Sequence, residues 1–263
     1  MAKTMTSFRL LRILGLLTVL VLVGLNRWQT SAATARWDMS QWVVVYPVNG
    51  DGLSTTSAYI EGLRVGQFAP VAEYLNSQAY NHGVSLATPF TVDLAPQVTA
   101  IPPEIPLERS VLSVVWYSLR LRYFGLTNNP YDGPSPDIKI YVLYFSPFPG
   151  TVLPHSVGLQ NGKIGVVNGF ASWKHTRLTN IILTHEILHT VGASDKYDVV
   201  LNQPHFPQGY ADPEQVPLYP QYRAEIMGAT IMLSEDKPRL PISLGETTVG
   251  DVTAREINWG VVE

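Results

Sequence analysis

Residues 184–198 read THEILHTVGASDKYD, a run that predicts the last turns of a buried helix and the loop after it. Apolar residues recur on nearly all sides of this run and of the residues before it, which is typical of a helix inside a protein core. Gly192 can adopt the left-handed conformation that ends a helix, so we predict that the helix ends at Val191. Upstream, Thr176 and Thr179 are both able to cap its start.

Two histidines on this helix, His185 and His189, are four residues apart and would lie one turn apart on the same face. At that spacing both imidazoles can bind one Zn²⁺, with nitrogen–zinc distances of about 2.0–2.1 Å. Glu186 projects about 100° further round the helix, which suits a general base better than a ligand. An unpaired carboxylate in such an apolar helix would be costly, and a metal with its water removes that cost. The pattern therefore predicts a zinc site with Glu186 as general base.

A third protein ligand has to come from outside the helix, because the helix cannot bring another side chain to the same ion. Gly192 lets the chain turn sharply, and Asp195 follows His189 by six residues. The residue pattern leaves other candidates for the third ligand open, namely Asp198, His205 and Glu225.

The run His185-Glu186-x-x-His189-x-x-Gly192-x-x-Asp195 resembles the extended zinc motif of the metzincin metalloproteases. It is similar to the form with Asp as third ligand, found in snapalysin-like and immune inhibitor A-like proteases. Glu225-Ile226-Met227-Gly228, further along the chain, resembles the Met-turn of that clan. The resemblance implies that Asp195 is the third ligand and that Met227 lies beneath the metal.

The resemblance covers the motif helix, the Met-turn and, more loosely, the order of elements before them, while residues 36–100 match nothing specific. The usual third histidine is absent. No tyrosine follows Met227 closely, as one does in some metzincin families, so the residue that would stabilise the transition state is open. The candidates for that role are Tyr197, Tyr219 and Tyr222.

The rest of the chain predicts alternating strands and helices. We predict strands at residues 42–48, 89–94 and 137–145, helices at 67–80, 108–124 and 250–259, and a hairpin, or a strand preceded by a turn, within 155–170. This order indicates an α+β fold with a mixed twisted sheet and packed helices. By resemblance the fold is expected to be metzincin-like, with an active-site helix and an irregular C-terminal subdomain that holds the Met-turn and a final helix.

Residues 1–35 are expected to be a signal peptide or an N-terminal membrane anchor. A basic segment precedes the apolar run ILGLLTVLVLVGL at 13–25, and Ala33-Thr34-Ala35 offers a cleavage site. Trp28 would suit an uncleaved anchor, with membrane association through residues 10–28. The protein is therefore expected to be exported, and either secreted or anchored, with residues 36–263 as a zinc metallopeptidase-like catalytic domain.

Composition excludes several classes of function. The leader holds four of the 18 basic residues and no acidic one, so residues 36–263 carry 14 basic against 21 acidic residues, a net charge of −7. An acidic domain without a basic run is a poor nucleic-acid binder. The absence of cysteine excludes disulfides, thiolate metal ligands and a cysteine nucleophile.

These observations together predict an exported zinc-dependent endopeptidase that acts on a protein or peptide. In the family it resembles, an edge strand just before the active-site helix pairs with the extended substrate, and the matching segment here would lie within 155–170. Two alternatives remain open: an exported zinc-binding module without turnover, and a hydrolase of a cell-wall amide. The sequence predicts no oligomeric state.

Overall fold

The computed structural model describes residues 37–106, 110–160, 162–198 and 200–260, together with Arg12. The expected leader, residues 1–35, lies outside this description apart from Arg12. Within the described residues, no helix has both the length and the apolar character needed to cross a membrane.

A five-stranded mixed sheet organises the fold. Its strands are β1 (Gln41–Asn49), β2 (Phe90–Leu94), β3 (Ile138–Phe145), β4 (Val157–Leu159) and β5 (Ile164–Phe170), in the order β2-β1-β3-β5-β4. Strand β1 runs parallel to β2 and β3, and β3 runs parallel to β5. Strand β4 pairs antiparallel with β5 at the edge of the sheet. The α+β class, the mixed sheet and the predicted strands are confirmed, and the antiparallel strands β4 and β5 are the two arms of the hairpin expected within 155–170.

Helices cover both faces of the sheet. They are α1 (Ser54–Glu61), α2 (Ala69–Asn81), α3 (Val111–Thr127), α4 (Thr176–Val191) and α5 (Asp251–Glu256). Helices α1, α2, α4 and α5 contribute to the apolar core on one face, and α3 packs on the other. Successive residues of β1 and β3 point into opposite cores, so these strands are apolar along their whole length.

Helix α3 does not end at residue 124 as predicted, but continues through Gly125 to Thr127. The glycine is explained by packing and not by termination, since a Cβ there would lie 2.6 Å from Cδ1 of Ile164. Helix α1 was not predicted, because its eight residues STTSAYIE have little apolar periodicity.

The start of α4 also differs from the prediction. Neither Thr176 nor Thr179 caps the helix, which follows directly on the 3₁₀ turn Trp173–His175 and has no side-chain cap. Its end is as predicted, because Gly192 has a φ of +119° and its N–H donates to the carbonyls of Leu188 and His189.

The chain after α4 is irregular, as predicted, and contains short strand pairs. These are β6 (Tyr197–Asp198) with β7 (Gln203–Pro204), β8 (Ala224–Glu225) with β11 (Thr247–Thr248), and β9 (Ile231–Ser234) with β10 (Lys237–Arg239). Helix α5 is shorter than the predicted 250–259, and a turn follows it. That turn buries Trp259 against Trp37 and Phe90, which joins the two ends of the described domain.

Candidate metal centre

Three potential ligand atoms meet at the end of α4. Nε2 of His185 and Nε2 of His189 lie 3.1 Å apart, and each lies 3.1 Å from Oδ1 of Asp195. Among the described residues these three side chains form the cluster of metal-ligating groups. The four-residue spacing on α4 places the two rings on one face, and the turn at Gly192 returns Asp195 to them.

The other nitrogen of each histidine ring is held by a backbone carbonyl. Nδ1 of His185 lies 3.0 Å from the carbonyl oxygen of Ile226, and Nδ1 of His189 lies 2.8 Å from that of Ala193. A carbonyl oxygen can only accept, so each Nδ1 carries the proton and donates. In a neutral ring the lone pair is then on Nε2 and faces the cluster. Metal-binding histidines are oriented in this way in proteins generally.

The histidines and the carboxylate of Asp195 shift one another's pKa values. Burial by itself lowers the pKa of His185, but its hydrogen bond to Asp195 and the nearby charge of Glu186 raise it to about 9. Burial by itself would raise the pKa of Asp195, but hydrogen bonds from both histidines hold it well below its usual range. A metal ion bound to these groups would replace the proton that the His185 ring carries in its absence.

The donor set fits a tetrahedral divalent ion. Bonds of about 2.0–2.1 Å in tetrahedral geometry separate the ligand atoms by roughly 3.3–3.4 Å, close to the observed triangle with sides of 3.1 Å. Two imidazoles and one carboxylate, without a thiolate, match catalytic zinc sites, which keep a fourth position open. His185, His189 and Asp195 would therefore hold the ion.

Glu186 is 5% exposed, and its Oε2 is a buried oxygen with no hydrogen-bond partner among the described residues. Burial raises the pKa of Glu186, and the neighbouring histidines act in the opposite direction. An orphaned buried carboxylate oxygen is costly unless a ligand or water meets it.

Edge strand β4 crosses α4 directly beside this site. A Cβ on Gly158 would lie 2.3 Å from the carbonyl oxygen of Glu186 and 2.8 Å from Cβ of His189. The strand can therefore approach the helix this closely because residue 158 has no side chain.

The segment that resembles a Met-turn lies against the cluster. Residues Ile226–Gly228 form a 3₁₀ turn, and Met227 in it is fully buried. The side chain of Glu225 accepts hydrogen bonds from the N–H groups of Gly228 and Gly250 and from the hydroxyl of Thr253. The turn that supplies the carbonyl for His185 is thus fixed to the start of α5.

The loop that carries Asp195 is also fixed to α5. Nζ of Lys196, which is 3% exposed, lies 2.8 Å from Oε2 of Glu256. The same carboxylate accepts hydrogen bonds from the N–H and the hydroxyl of Ser194. The backbone N–H of Lys196 donates to the carbonyl of Met227. Both residues flanking Asp195 are therefore held in place.

The structure does not bring the other candidate ligands to the cluster. The Asp198 carboxylate accepts hydrogen bonds from the N–H groups of Val200 and Leu201. The Glu225 carboxylate accepts the three hydrogen bonds described above. His205 is exposed and lies outside the cluster.

Of the candidate tyrosines, Tyr197 has its ring centroid 6.3 Å from that of His185. The Tyr219 hydroxyl pairs with that of Tyr210, and Tyr222 is 70% exposed.

Several residues of this site were missed by sequence reasoning. Gly158, Lys196 and Glu256 show no local pattern that points to the histidines. Tyr117 on α3, in the core on the other face of the sheet, has its pKa raised by burial and further by the charge of Glu186. The tyrosine and the carboxylate are therefore within electrostatic reach of each other.

Comparisons with known proteins contribute little to the assignment. No family model and no curated protein matches this chain. Among solved structures, it is similar to a chain described as "Structure of a chaperone-substrate complex", with a TM-score of 0.40 and 12% identity over 83% of this chain. This chain spans about a third of that one, a coverage of 33%. Similarity at this level supports no conclusion about fold family or function.

Proposed function

We propose that this protein is a metzincin-like zinc endopeptidase. The observation that carries the proposal is the triangle of His185 Nε2, His189 Nε2 and Asp195 Oδ1, with sides of 3.1 Å, beside the unpartnered oxygen of Glu186. A site that only binds metal does not need a buried carboxylate oxygen without a hydrogen-bond partner. A general base requires one.

The surroundings of the triangle support the finer, metzincin-like assignment. An antiparallel edge strand precedes the helix that carries the histidines, a glycine ends that helix, and the chain returns with Asp195. A tight turn with buried Met227 lies against His185 through the Ile226 carbonyl. These features agree in order with the resemblance found in the sequence.

In the proposed reaction, His185, His189 and Asp195 would hold a zinc ion. When bound, zinc polarises the scissile carbonyl and lowers the pKa of a water molecule. Glu186 would take a proton from the attacking water as the water oxygen bonds to the scissile carbonyl carbon, and it would deliver that proton to the amine nitrogen as the C–N bond breaks. The apolar residues around α4 exclude bulk water from the carboxylate, which strengthens its electrostatic effect.

The proposed substrate is a protein or peptide in extended conformation. Strand β4 pairs with β5 through one edge, and we expect its other edge to pair with the substrate backbone. Because Gly158 keeps β4 close to Glu186 and His189, a backbone bound there would lie next to the catalytic groups.

The test compares the full-length protein with Glu186→Gln and His189→Ala variants. We expect wild type and Glu186→Gln each to bind one zinc ion, and His189→Ala to lose it. Hydrolysis of unfolded casein should fall by roughly 10²–10⁴-fold in Glu186→Gln. Zinc content is measured by atomic absorption, so metal binding and catalysis are scored separately.

If the wild type bound zinc and released cell-wall fragments but did not cleave casein, the protein would be a cell-wall amidase and not a peptidase. Zinc with neither activity would favour the binding module. Equal cleavage by wild type and Glu186→Gln would contradict the proposed base.

A further inference from the structure

The carboxylate of Asp195 has little support of its own. Its side chain is 42% exposed, and among the described residues its hydrogen-bond partners are the two histidines of the cluster. Each histidine ring, in contrast, is also held at Nδ1 by a backbone carbonyl. The position of the Asp195 oxygen beside the histidines therefore depends on the backbone of the loop that carries it.

That loop is held on both sides of Asp195 by one carboxylate on α5. Oε2 of Glu256 accepts a hydrogen bond from the N–H of Ser194 at 2.9 Å, and Oε1 accepts one from the Ser194 hydroxyl at 2.7 Å. Oε2 also lies 2.8 Å from Nζ of Lys196. Within the described part of the chain, the hydrogen bonds to this carboxylate thus come from the two residues that flank the candidate ligand.

The ion pair between Lys196 and Glu256 is not explained by stability alone. The Lys196 side chain is 3% exposed, and taking its ammonium out of water has a cost that pairing repays only with good geometry. Apolar residues of similar volume are often at least as stabilising as a buried ion pair. What the pair does here is to fix the Asp195 loop to α5 in one position.

Helix α5 also holds the turn that orients His185. The Glu225 carboxylate accepts a hydrogen bond from the Thr253 hydroxyl, and the turn that follows Glu225 supplies the carbonyl oxygen for His185. Thr253 and Glu256 are three residues apart, so they lie on the same face of α5. One face of this helix therefore supports both the turn behind a histidine and the loop that carries the carboxylate.

We propose that Glu256 is a positioning residue of the metal centre, which holds the oxygen of Asp195 beside the two histidines before an ion binds. An ion then meets three ligands in place, and less conformational entropy is lost when it binds. The inference rests on the metal site of the proposed function, but it does not depend on peptide hydrolysis.

The test is a double-mutant cycle on zinc affinity, measured with the full-length protein by competition with a chromophoric chelator. The cycle compares the wild type, Glu256→Ala, Asp195→Ala and the variant with both substitutions. We expect Glu256→Ala to weaken zinc binding roughly 10–100-fold when Asp195 is present. When Asp195→Ala has already removed the carboxylate, the further loss should be less than about twofold. A residue that only stabilised the domain would lower the affinity by the same factor in both backgrounds.

The matched control is Glu246→Ala. The Glu246 carboxylate accepts hydrogen bonds from the Arg239 guanidinium at 2.9 Å and the N–H of Ile242 at 3.0 Å, so it is a paired carboxylate without a bond to the Asp195 loop. We expect this variant to bind zinc within about twofold of the wild type. Circular dichroism verifies that each variant is folded before zinc is added.

If Glu256→Ala does not fold, Glu256→Gln takes its place in the cycle, because the amide keeps the length of the side chain and removes its charge. The same difference between the two backgrounds is expected. Equal losses in both backgrounds, or an unchanged zinc affinity in Glu256→Ala, would overturn the inference and leave the metal centre in place.

An equal loss in Glu246→Ala would also overturn the inference, because the effect would then not be specific to the Asp195 loop. If the wild type bound no zinc, the metal centre and the role of Glu256 would both be wrong. Since the cycle measures zinc binding alone, a lack of casein hydrolysis would contradict the peptidase and not this inference.

Discussion

At the scale of single residues, Gly158 shows how a backbone position can control a site without contributing a side chain. The residue has no Cβ where strand β4 passes the carbonyl of Glu186 and the Cβ of His189. The proposed ligand His189, the proposed base Glu186 and the strand expected to bind substrate are thereby held in close contact. Any side chain at residue 158 would have to move the strand or the helix.

We therefore expect Gly158→Ala to destabilise the protein by roughly 1–3 kcal/mol through overpacking, because the new Cβ would lie 2.3 Å from a backbone oxygen. Urea unfolding measures the change. Gly66→Ala is the matched control, since a Cβ there would have no atom within 4 Å, and its effect should stay within about 0.5 kcal/mol. If the two variants were equally stable, β4 would not approach α4 as closely as described.

At the scale of elements, Asp51 joins helix α1 to the sheet. Its carboxylate accepts hydrogen bonds from the N–H of Leu53 at 3.0 Å, the hydroxyl of Thr56 at 3.1 Å and the N–H of Ser146 at 2.6 Å. Burial by itself would raise the pKa of Asp51, but these hydrogen bonds lower it. The start of α1 and the end of β3 therefore both donate hydrogen bonds to the same ionised carboxylate.

This arrangement predicts a pH dependence for Asp51→Asn. A carboxyl whose pKa is lowered by folding contributes stability that is present above the unfolded pKa of about 3.9 and is lost as the pH falls through the lowered value. We expect the variant to be less stable than wild type by about 1–2 kcal/mol at pH 6, and the difference to shrink below about pH 4.

Urea unfolding at several pH values tests this, with Asp38→Asn as control. Asp38 is exposed, and the described residues show no hydrogen bond to its side chain. If the loss of stability in Asp51→Asn stayed constant down to pH 3, the negative charge of Asp51 would not be what stabilises the folded state.

At the scale of the whole molecule, the candidate metal centre connects segments that are distant in sequence. The histidines belong to α4 and Asp195 to the loop after it. His185 is bonded to the turn at Ile226, 41 residues away, and Lys196 to α5 through Glu256. A metal ion held at the proposed site would therefore stabilise the packing of α4 against the C-terminal part.

We expect zinc at about a thousand times its dissociation constant to stabilise the folded state by about 4 kcal/mol, which corresponds to a rise in Tm of roughly 8–16 °C for a domain of this size. Removing zinc with a chelator should reverse the rise. Thermal unfolding of the full-length protein measures both. A His189→Ala variant should show no rise, and an equal rise in that variant would place the ion elsewhere.

Short-range patterns were sufficient to predict much of this protein. The sequence by itself determined the strand at 137–145, the end of α4 at Gly192 and the shared face of His185 and His189. Each of these depends on residues within a few positions of one another, through strand alternation, the helical period or the conformational freedom of glycine.

Tertiary structure decided what depends on packing between distant segments. It brought Asp195 to the histidines while Asp198 and Glu225 formed other hydrogen bonds, and it held His185 through the Ile226 carbonyl. It also explained Gly125 and Gly158, whose missing side chains make room for another element. Such contacts leave no local pattern, because whether two atoms meet is set by how the sheet, helices and loops pack together.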